Sequence, residues 1–218
     1  SGWRMGVLTA LGLALCSVLG MWQATTQTIA LVILAVLISI SIGIPIGILV
    51  SRSKKLQAAV RPVLDIMQTL PPWVYLVPAV ILFGLGSVPA LISTIVYGIA
   101  PMVRLTVLAM SQIPQERMEL GRAVGVTKFG LLKKIELPSA MPTLLVGVNQ
   151  CILLSLAMVV LAGLVGAGGL GAEVTRGLTR LDFGLGVRAS LAIVAVAIIM
   201  DRVFRNAIPQ VYLSKSLN

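Results

Sequence analysis

The chain has 218 residues, 58% hydrophobic and only 11% charged, with a mean hydropathy of +1.04 and a net charge of +10. Soluble domains carry roughly 25% charged residues, and the basic residues here fall in short clusters between apolar runs, so a soluble enzyme and a nucleic-acid-binding protein are set aside. There is no histidine, which removes the commonest general base and the commonest metal ligand, and no metal site is expected.

Three stretches, 5–51, 66–103 and 137–172, contain no Asp, Glu, Lys or Arg. A helix needs about 20 apolar residues to cross a bilayer, so each stretch holds one or two crossings. These runs are too long for the alternating segments of about 10 residues in a membrane β-barrel. The expectation is an all-α integral membrane protein with about six transmembrane helices.

The chain opens with SGWRMG, without an initiator Met or a signal-peptide pattern, and is expected to be the ordered part of a longer protein. The first predicted crossing, 5–22, is short and rich in glycine, and 1–25 reads as an N-terminal transmembrane unit. The second, 28–50, has 23 residues, or roughly 34 Å of helix. After the basic cluster Arg52, Lys54, Lys55 and Arg61, the third has its apolar part near 71–85 and the fourth is 88–110. A long polar loop, about 111–140, precedes the fifth crossing, 143–165, and a glycine-rich connector leads to the sixth, 187–203. The main unit is 26–206, and 207–218 reads as a tail. Cys16 and Cys151 lie inside apolar runs, far apart, and read as buried thiols.

Six crossings leave two sets of loops. One side receives Arg4, the cluster after the second crossing, Arg104, the loop with Arg117, Arg122, Lys128, Lys133 and Lys134, and the tail's Arg202, Arg205 and Lys215. That is 14 of the 17 basic residues; the other side has Arg176, Arg180 and Arg188. The positive-inside rule places both ends and the loop in the cytoplasm. Arg104 stands about two turns from the inner end of its helix and is expected to snorkel there. Asp65 with Arg61, and Asp201 with Arg205, are four apart and read as structural pairs on one helical face. No charge demands a proton relay at mid-membrane, which weighs against a secondary carrier.

The loop reads as two short helices and a turn. Pro114 suits a first helical position, with Glu116 close behind it at the positive helix end. Gly125 stands where a left-handed residue ends the first helix. Thr127 caps the second, with Val126 and Leu131 at the two positions of a hydrophobic staple. Pro138 marks the next break. Phe129, Leu132 and Ile135, at i, i+3 and i+6, form an apolar stripe that suits either the membrane surface or a groove on another protein. The chain has no nucleotide-binding loop of the G-x-x-x-x-G-K-[ST] kind and no catalytic constellation, so an energy source would be another subunit.

The loop resembles the coupling loop of ABC importer permeases, whose pattern is E-A-A, three residues, G, nine residues, I-x-L-P. Glu119, Gly125, Ile135, Leu137 and Pro138 stand at that spacing, while Leu120 and Gly121 replace the two alanines. The leucine departs from the pattern; the glycine keeps its position small. The stretches LDIMQTLPPWVYLVPAVILFGLGSVPALISTIVYGIAPMVRLTVL and LPSAMPTLLVGVNQCILLSLAMVVLAGLVGAGGLGAEVTRGLTRLDFGLG extend the likeness over about 26–205. They are similar to permease subunits of glycine betaine/proline betaine importers.

The resemblance implies a type I importer permease fold in the bacterial plasma membrane. It implies a homodimer of permeases in lipid, two ATPase subunits, and a periplasmic or lipid-anchored substrate-binding protein. It implies no cofactor on this chain, ATP and Mg being held by the ATPase, and no catalysis by the chain itself. Its coupling residues would be Glu119, Gly121, Ala123, Gly125, Phe129, Ile135, Leu137 and Pro138. The cargo would be glycine betaine or a relative such as choline, carnitine or trimethylamine N-oxide, with an amino acid more distant.

Quaternary ammonium groups are held by aromatic faces, so Trp73, Tyr75 and Tyr97, with Asn149 and Gln150, are candidates for the translocation path. Each has a plainer reading, as interfacial anchor or interhelical hydrogen bond. Pro45, Pro78, Pro89 and Pro101 mark places where helices can bend. The connector 163–186 reads as a flexible or closely packed re-entrant link. Its Glu173, Arg176, Arg180 and Asp182 are candidate rim contacts for the binding protein.

Overall fold

The structure, a computed structural model, describes residues 2–207, and every regular element among them is helical. The helices are α1 (Gly2–Val18), α2 (Trp22–Ser51), α3 (Lys54–Thr69), α4 (Trp73–Phe83), α5 (Ser87–Ser111), α6 (Gln115–Ala123), α7 (Lys128–Leu131), α8 (Leu137–Ala162), α9 (Gly169–Thr179) and α10 (Phe183–Ala207). A π turn, Leu132–Glu136, joins α7 to α8, and a 3₁₀ turn, Gly163–Val165, ends α8. The expected tail 207–218, apart from Ala207, lies outside the described residues.

The centre of the bundle is α5, clasped between α2 and α8. Small residues allow the close approach that apolar helices need when no water drives them together. A Cβ on Gly43 would stand 2.8 Å from Met102, and one on Gly98 would stand 2.8 Å from the Cys151 sulfur. The Ser39 hydroxyl donates to the Ile95 carbonyl at 3.1 Å. Contacts of Ser39 with Ile95, Gly43 with Met102 and Gly47 with Thr106 rise in step, so α2 and α5 run parallel. Gly98 faces Cys151 and Gly147 faces Met102, so α8 runs against them.

Two parallel neighbours require a return passage between them. That passage is not the single third crossing expected at 71–85. It is the pair α3 and α4, bent by 90° at the break. α4 has 11 residues, about 16 Å, half the hydrocarbon thickness. The break falls at Leu70-Pro71-Pro72, where Leu70 is extended with ψ 137°. A proline disfavours helix in the residue before it and has no N–H to continue the ladder. The Tyr75 hydroxyl ties the bend by donating to the Met67 carbonyl at 2.6 Å, and Ser93 Oγ donates to the Tyr75 carbonyl at 3.2 Å. Pro45, Pro78 and Pro101 lie inside unbroken helices.

Four helices are long and apolar enough to cross a membrane: Trp22–Ser51, Ser87–Ser111, the rod Lys128–Val165 and Phe183–Phe204. The bent pair makes a fifth passage. The expected first crossing is a short apolar helix, Gly6–Val18, packed antiparallel on α10, where Gly12 meets Ile199 and the Cys16 thiol points at the Ala192 carbonyl. The six expected crossings are thus four full spans, one broken passage and one short helix.

At the end opposite the α5–α8 loop, the connector is closely packed rather than flexible. Gln27 and Thr28 of α2 accept the first N–H groups of α9, from Gly169 at 2.9 Å and Leu170 at 2.8 Å. The backbones of Gly163 and Gly171 touch directly, since a Cβ on Gly163 would sit 2.1 Å from the Gly171 carbonyl carbon.

Candidate functional site

The ends of α2, α5 and α8 at Ser51, Ser111 and Leu137 gather on one face of the bundle, and the loop between α5 and α8 projects from it. Its first helix, α6, starts at Gln115 with Pro114 as an extended cap (ψ 134°), so Pro114 stands just outside the helix rather than at its first position. The helix ends in a 6→1, 5→2 closure. The Val126 N–H bonds to the Gly121 carbonyl at 3.1 Å and the Gly125 N–H to the Arg122 carbonyl at 3.0 Å. Gly125 has φ +77° there, a conformation that a side chain strains. Thr127 then caps α7 by accepting the Gly130 N–H at 3.2 Å.

No break follows at Pro138. The chain runs from α7 through the π turn into α8 as one rod, Lys128–Val165, of 38 residues. Pro138 has no N–H to offer the preceding turn, and its ring needs room there. The wider π turn, closed by the Leu137 N–H on the Leu132 carbonyl, supplies that room. The second helix of the loop is therefore continuous with a membrane span.

The apolar stripe expected along Phe129, Leu132 and Ile135 is divided. Phe129 is 74% exposed. Leu132 and Ile135 are half-buried, and the tip of Ile135 occupies the hollow at Gly121, where a Cβ would stand 2.5 Å from it. Gly121 and Leu131 are buried between the two short helices. The outward apolar face is instead Leu120, Val124 and Phe129, at 66%, 74% and 74% exposure. Glu119 and Ala123 are exposed beside them, flanked by Arg117, Arg122 and Lys128.

Glu136 was not among the candidates on the sequence. It is 2% exposed, the only buried acid among the described residues, and its two oxygens receive the Arg52 guanidinium as a fork. One arm measures 2.7 Å between Nη1 and Oε1; the other joins Nη2 and Oε2. The bond raises the Arg52 pKa, with its charge attraction to Glu136 adding to this and burial opposing it, so Arg52 keeps its charge. The fork fastens the π turn to the end of α2. A lone acid between Ile135 and Leu137 was a visible hint, but its partner lies 84 residues away.

Among the path candidates, Tyr75 and Tyr97 are brought together, ring centroids 5.6 Å apart and tilted by 50°. Trp73 stands exposed away from them. Asn149 has a buried Oδ1 without a partner, and Gln150 lines a cavity between α3 and α5. Asp65 pairs with Arg104 at 3.0 Å across α3 and α5, which replaces both the expected Arg61 pair and free snorkelling of Arg104. Of the second expected pair, the Arg205 side chain lies outside the described residues.

The rim candidates separate in the same way. Glu173 and Arg176 bond to each other at 2.8 and 2.9 Å and line a cavity of about 540 Å³ with Gln23 and Gln27. Asp182 is a helix cap, accepting the Leu185 N–H at 2.9 Å, and Arg180 ends α9.

Changing Gly125 to Asp puts a side chain where φ is +77° and a negative charge at the negative end of α6. A loss of about 1–2 kcal/mol of local stability is expected. If the loop has the coupling role that its resemblance implies, uptake should fall while membrane insertion is retained, checked by transport and by membrane fractionation of the same cells; normal uptake would refute that role for this turn.

Residues 40–211 match the family model described as "Binding-protein-dependent transport system inner membrane component". The glycine betaine/proline betaine transport system permease protein ProW of Escherichia coli is 45% identical over 202 residues, 93% of this chain and 57% of that protein. The glycine betaine transport system permease protein OpuAB of Bacillus subtilis is 44% identical over 93% of this chain and 72% of its own length. The chain thus spans little more than half of the ProW sequence. Among solved structures, a chain of the inward-facing MetNI methionine ABC transporter superposes with a TM-score of 0.71 at 24% identity, covering 87% of this chain and 96% of that one. That likeness bears on fold alone. A helical bundle with a broken passage, a loop-bearing rod and these relatives leave one conclusion: the chain belongs to the family of inner-membrane components of binding-protein-dependent transport systems.

Proposed function

We propose that this chain is the membrane subunit of an ATP-driven importer for a quaternary-ammonium osmolyte, glycine betaine or a close relative. The carrying observation is the loop: an exposed apolar face of Leu120, Val124 and Phe129, the last on a helix continuous with a span. Such a face suits the groove of another subunit. In this reading two ATPase subunits hold ATP and Mg, and two copies of this chain face each other in the plasma membrane. A periplasmic or lipid-anchored binding protein delivers cargo to the glycine-rich side, near Glu173 and Arg176. The chain has no catalysis of its own. Closure of the ATPase pair moves the coupling helices, and the spans alternate between inward and outward opening.

Both ends are assigned to the cytoplasm with the loop. The excess of basic residues on that side supports this, as does the antiparallel packing of α1 on α10, which puts the start of one beside the end of the other. The cargo assignment is supported by the names of the ProW and OpuAB relatives.

The test is uptake of labelled glycine betaine by cells lacking other osmolyte importers, with this chain expressed beside its ATPase and binding protein. Uptake should require an active ATPase, and choline, carnitine and trimethylamine N-oxide as competitors rank the cargoes. Uptake indifferent to the ATPase would leave a stand-alone carrier.

A further inference from the structure

A cavity of about 550 Å³, within the size range of small-molecule sites, opens beside the loop end of the bundle between α3 and α5. Gln57 and Ser111 stand toward that end, and Pro101 and Gln150 stand deepest. From Ser111 to Pro101 is about 15 Å along α5, half the hydrocarbon thickness. A chamber of this depth reaches from one face to the middle of the layer.

Most of its polar lining, Gln57, Arg61, Asp65 and Gln68, comes from the amphipathic α3. Asp65 and Arg104 form the ion pair at 3.0 Å, and Arg104 also donates to Gln68 Oε1 at 2.8 Å. That leaves the Gln68 amide nitrogen buried with no acceptor. Arg61 lines the same space and has no ion-pair partner among the described residues. Buried donors are almost always satisfied, by protein, water or ligand. Along one face of α3 the cavity thus offers the Arg61 guanidinium to an anionic group and, one helical turn further on, Asp65, about half exposed, to a cationic one, with the Gln68 amide beyond it.

We propose that this cavity is a transit site for a small zwitterion. The carboxylate meets Arg61, and the quaternary ammonium rests one helical turn further along α3 against the Asp65 oxygen that Arg104 does not engage. No aromatic side chain lines the cavity, so the ammonium lacks the face that holds it tightly elsewhere. Weak holding suits a station from which cargo is released to the cytoplasm. This inference rests on the betaine-type cargo proposed above. A zwitterionic lipid headgroup has the same chemistry, and the test separates the two.

The complete complex, with its ATPase and binding protein, is reconstituted in phosphatidylglycerol vesicles, which have no zwitterionic headgroup. Gln150→Cys is exposed from the ATPase side to a methanethiosulfonate reagent bearing a trimethylammonium group, with the wild-type chain as control, since Cys16 and Cys151 are fully buried. Labelling of Gln150→Cys should be slowed at least about fivefold by saturating glycine betaine, as expected when the competing ligand stands several-fold above its Kd. Arg61→Gln should remove that protection and lower uptake about tenfold, the loss of one charge-assisted hydrogen bond. Lys55→Gln removes a nearby cation outside the cavity and should change neither. Labelling that betaine does not slow, in a complex that takes up betaine, overturns the site and leaves the cargo reading standing. Protection that appears only when phosphatidylethanolamine is added assigns the cavity to lipid and also overturns it. A complex with no betaine uptake overturns the cargo reading and the site with it.

Discussion

In the importer proposed above, Arg52→Met is expected to reduce ATP-driven uptake at least about tenfold while ATP hydrolysis by the assembled complex continues. The substitution removes the fork on Glu136 and leaves a carboxylate 3% exposed with no cation. Breaking a buried pair costs about 3–5 kcal/mol; with Arg52 itself half exposed, about 2 kcal/mol is the better figure. That energy falls at one place. The fork joins the π turn, through which the loop becomes the rod of α8, to the end of α2. In that reading, without the fork the loop helices can move under the proposed ATPase while α2 stays behind. Uptake and ATP hydrolysis measured in the same proteoliposomes check this. Arg52→Lys, which keeps charge but loses the two-pronged geometry, should lie between, and the double exchange Arg52→Glu with Glu136→Arg should recover part of the loss. Wild-type uptake by Arg52→Met would mean that the loop needs no such tether.

Gly163→Ala is expected to be the most damaging single methyl group on the opposite side of the bundle. The added Cβ would lie 2.1 Å from the carbonyl carbon of Gly171 and 2.4 Å from the nitrogen of Ala172. Both are backbone atoms, so relief requires α8 and α9 to separate rather than a side chain to turn. Overpacking of this kind costs about 1–3 kcal/mol where neighbours can adjust, and on the order of 3 kcal/mol or more is expected here. Separation would also pull α9 away from Gln27 and Thr28, which hold its first N–H groups. The melting temperature of the detergent-solubilised complex should drop by several degrees or the chain fail to accumulate. Gly6→Ala, with nothing within 4 Å of its new Cβ, should be neutral or slightly stabilising. Equal melting of the two variants would show that the connector is looser than its geometry.

The membrane class, the length of the main spans and the turn chemistry of the loop were legible in the sequence because each depends on neighbours a few residues apart. Charge-free runs report crossings whatever they pack against. Gly125 ends α6 and Thr127 caps α7 through hydrogen bonds to residues no more than five positions away. The family pattern was legible for the same reason, being a spacing within one loop. Two local readings failed where a local rule admits more than one outcome: the crossing expected with its apolar part at 71–85 is half of a bent pair broken at Leu70-Pro71-Pro72, and Pro138 was absorbed by a π turn instead of ending a helix.

What the tertiary structure alone decided is which distant groups meet. Arg52 finds Glu136, Asp65 takes Arg104 rather than Arg61, and Tyr75 lies against Tyr97. Gly163 touches Gly171 because α9 folds back on the end of α8, and Ile135 turns inward because Gly121 leaves it a hollow. In each case the residue's own stretch is compatible with several partners, and the choice follows from how helices separated by tens of residues pack. Hydropathy and capping act along the chain, whereas pairing, cavities and the exposed face of the loop are properties of the space between helices.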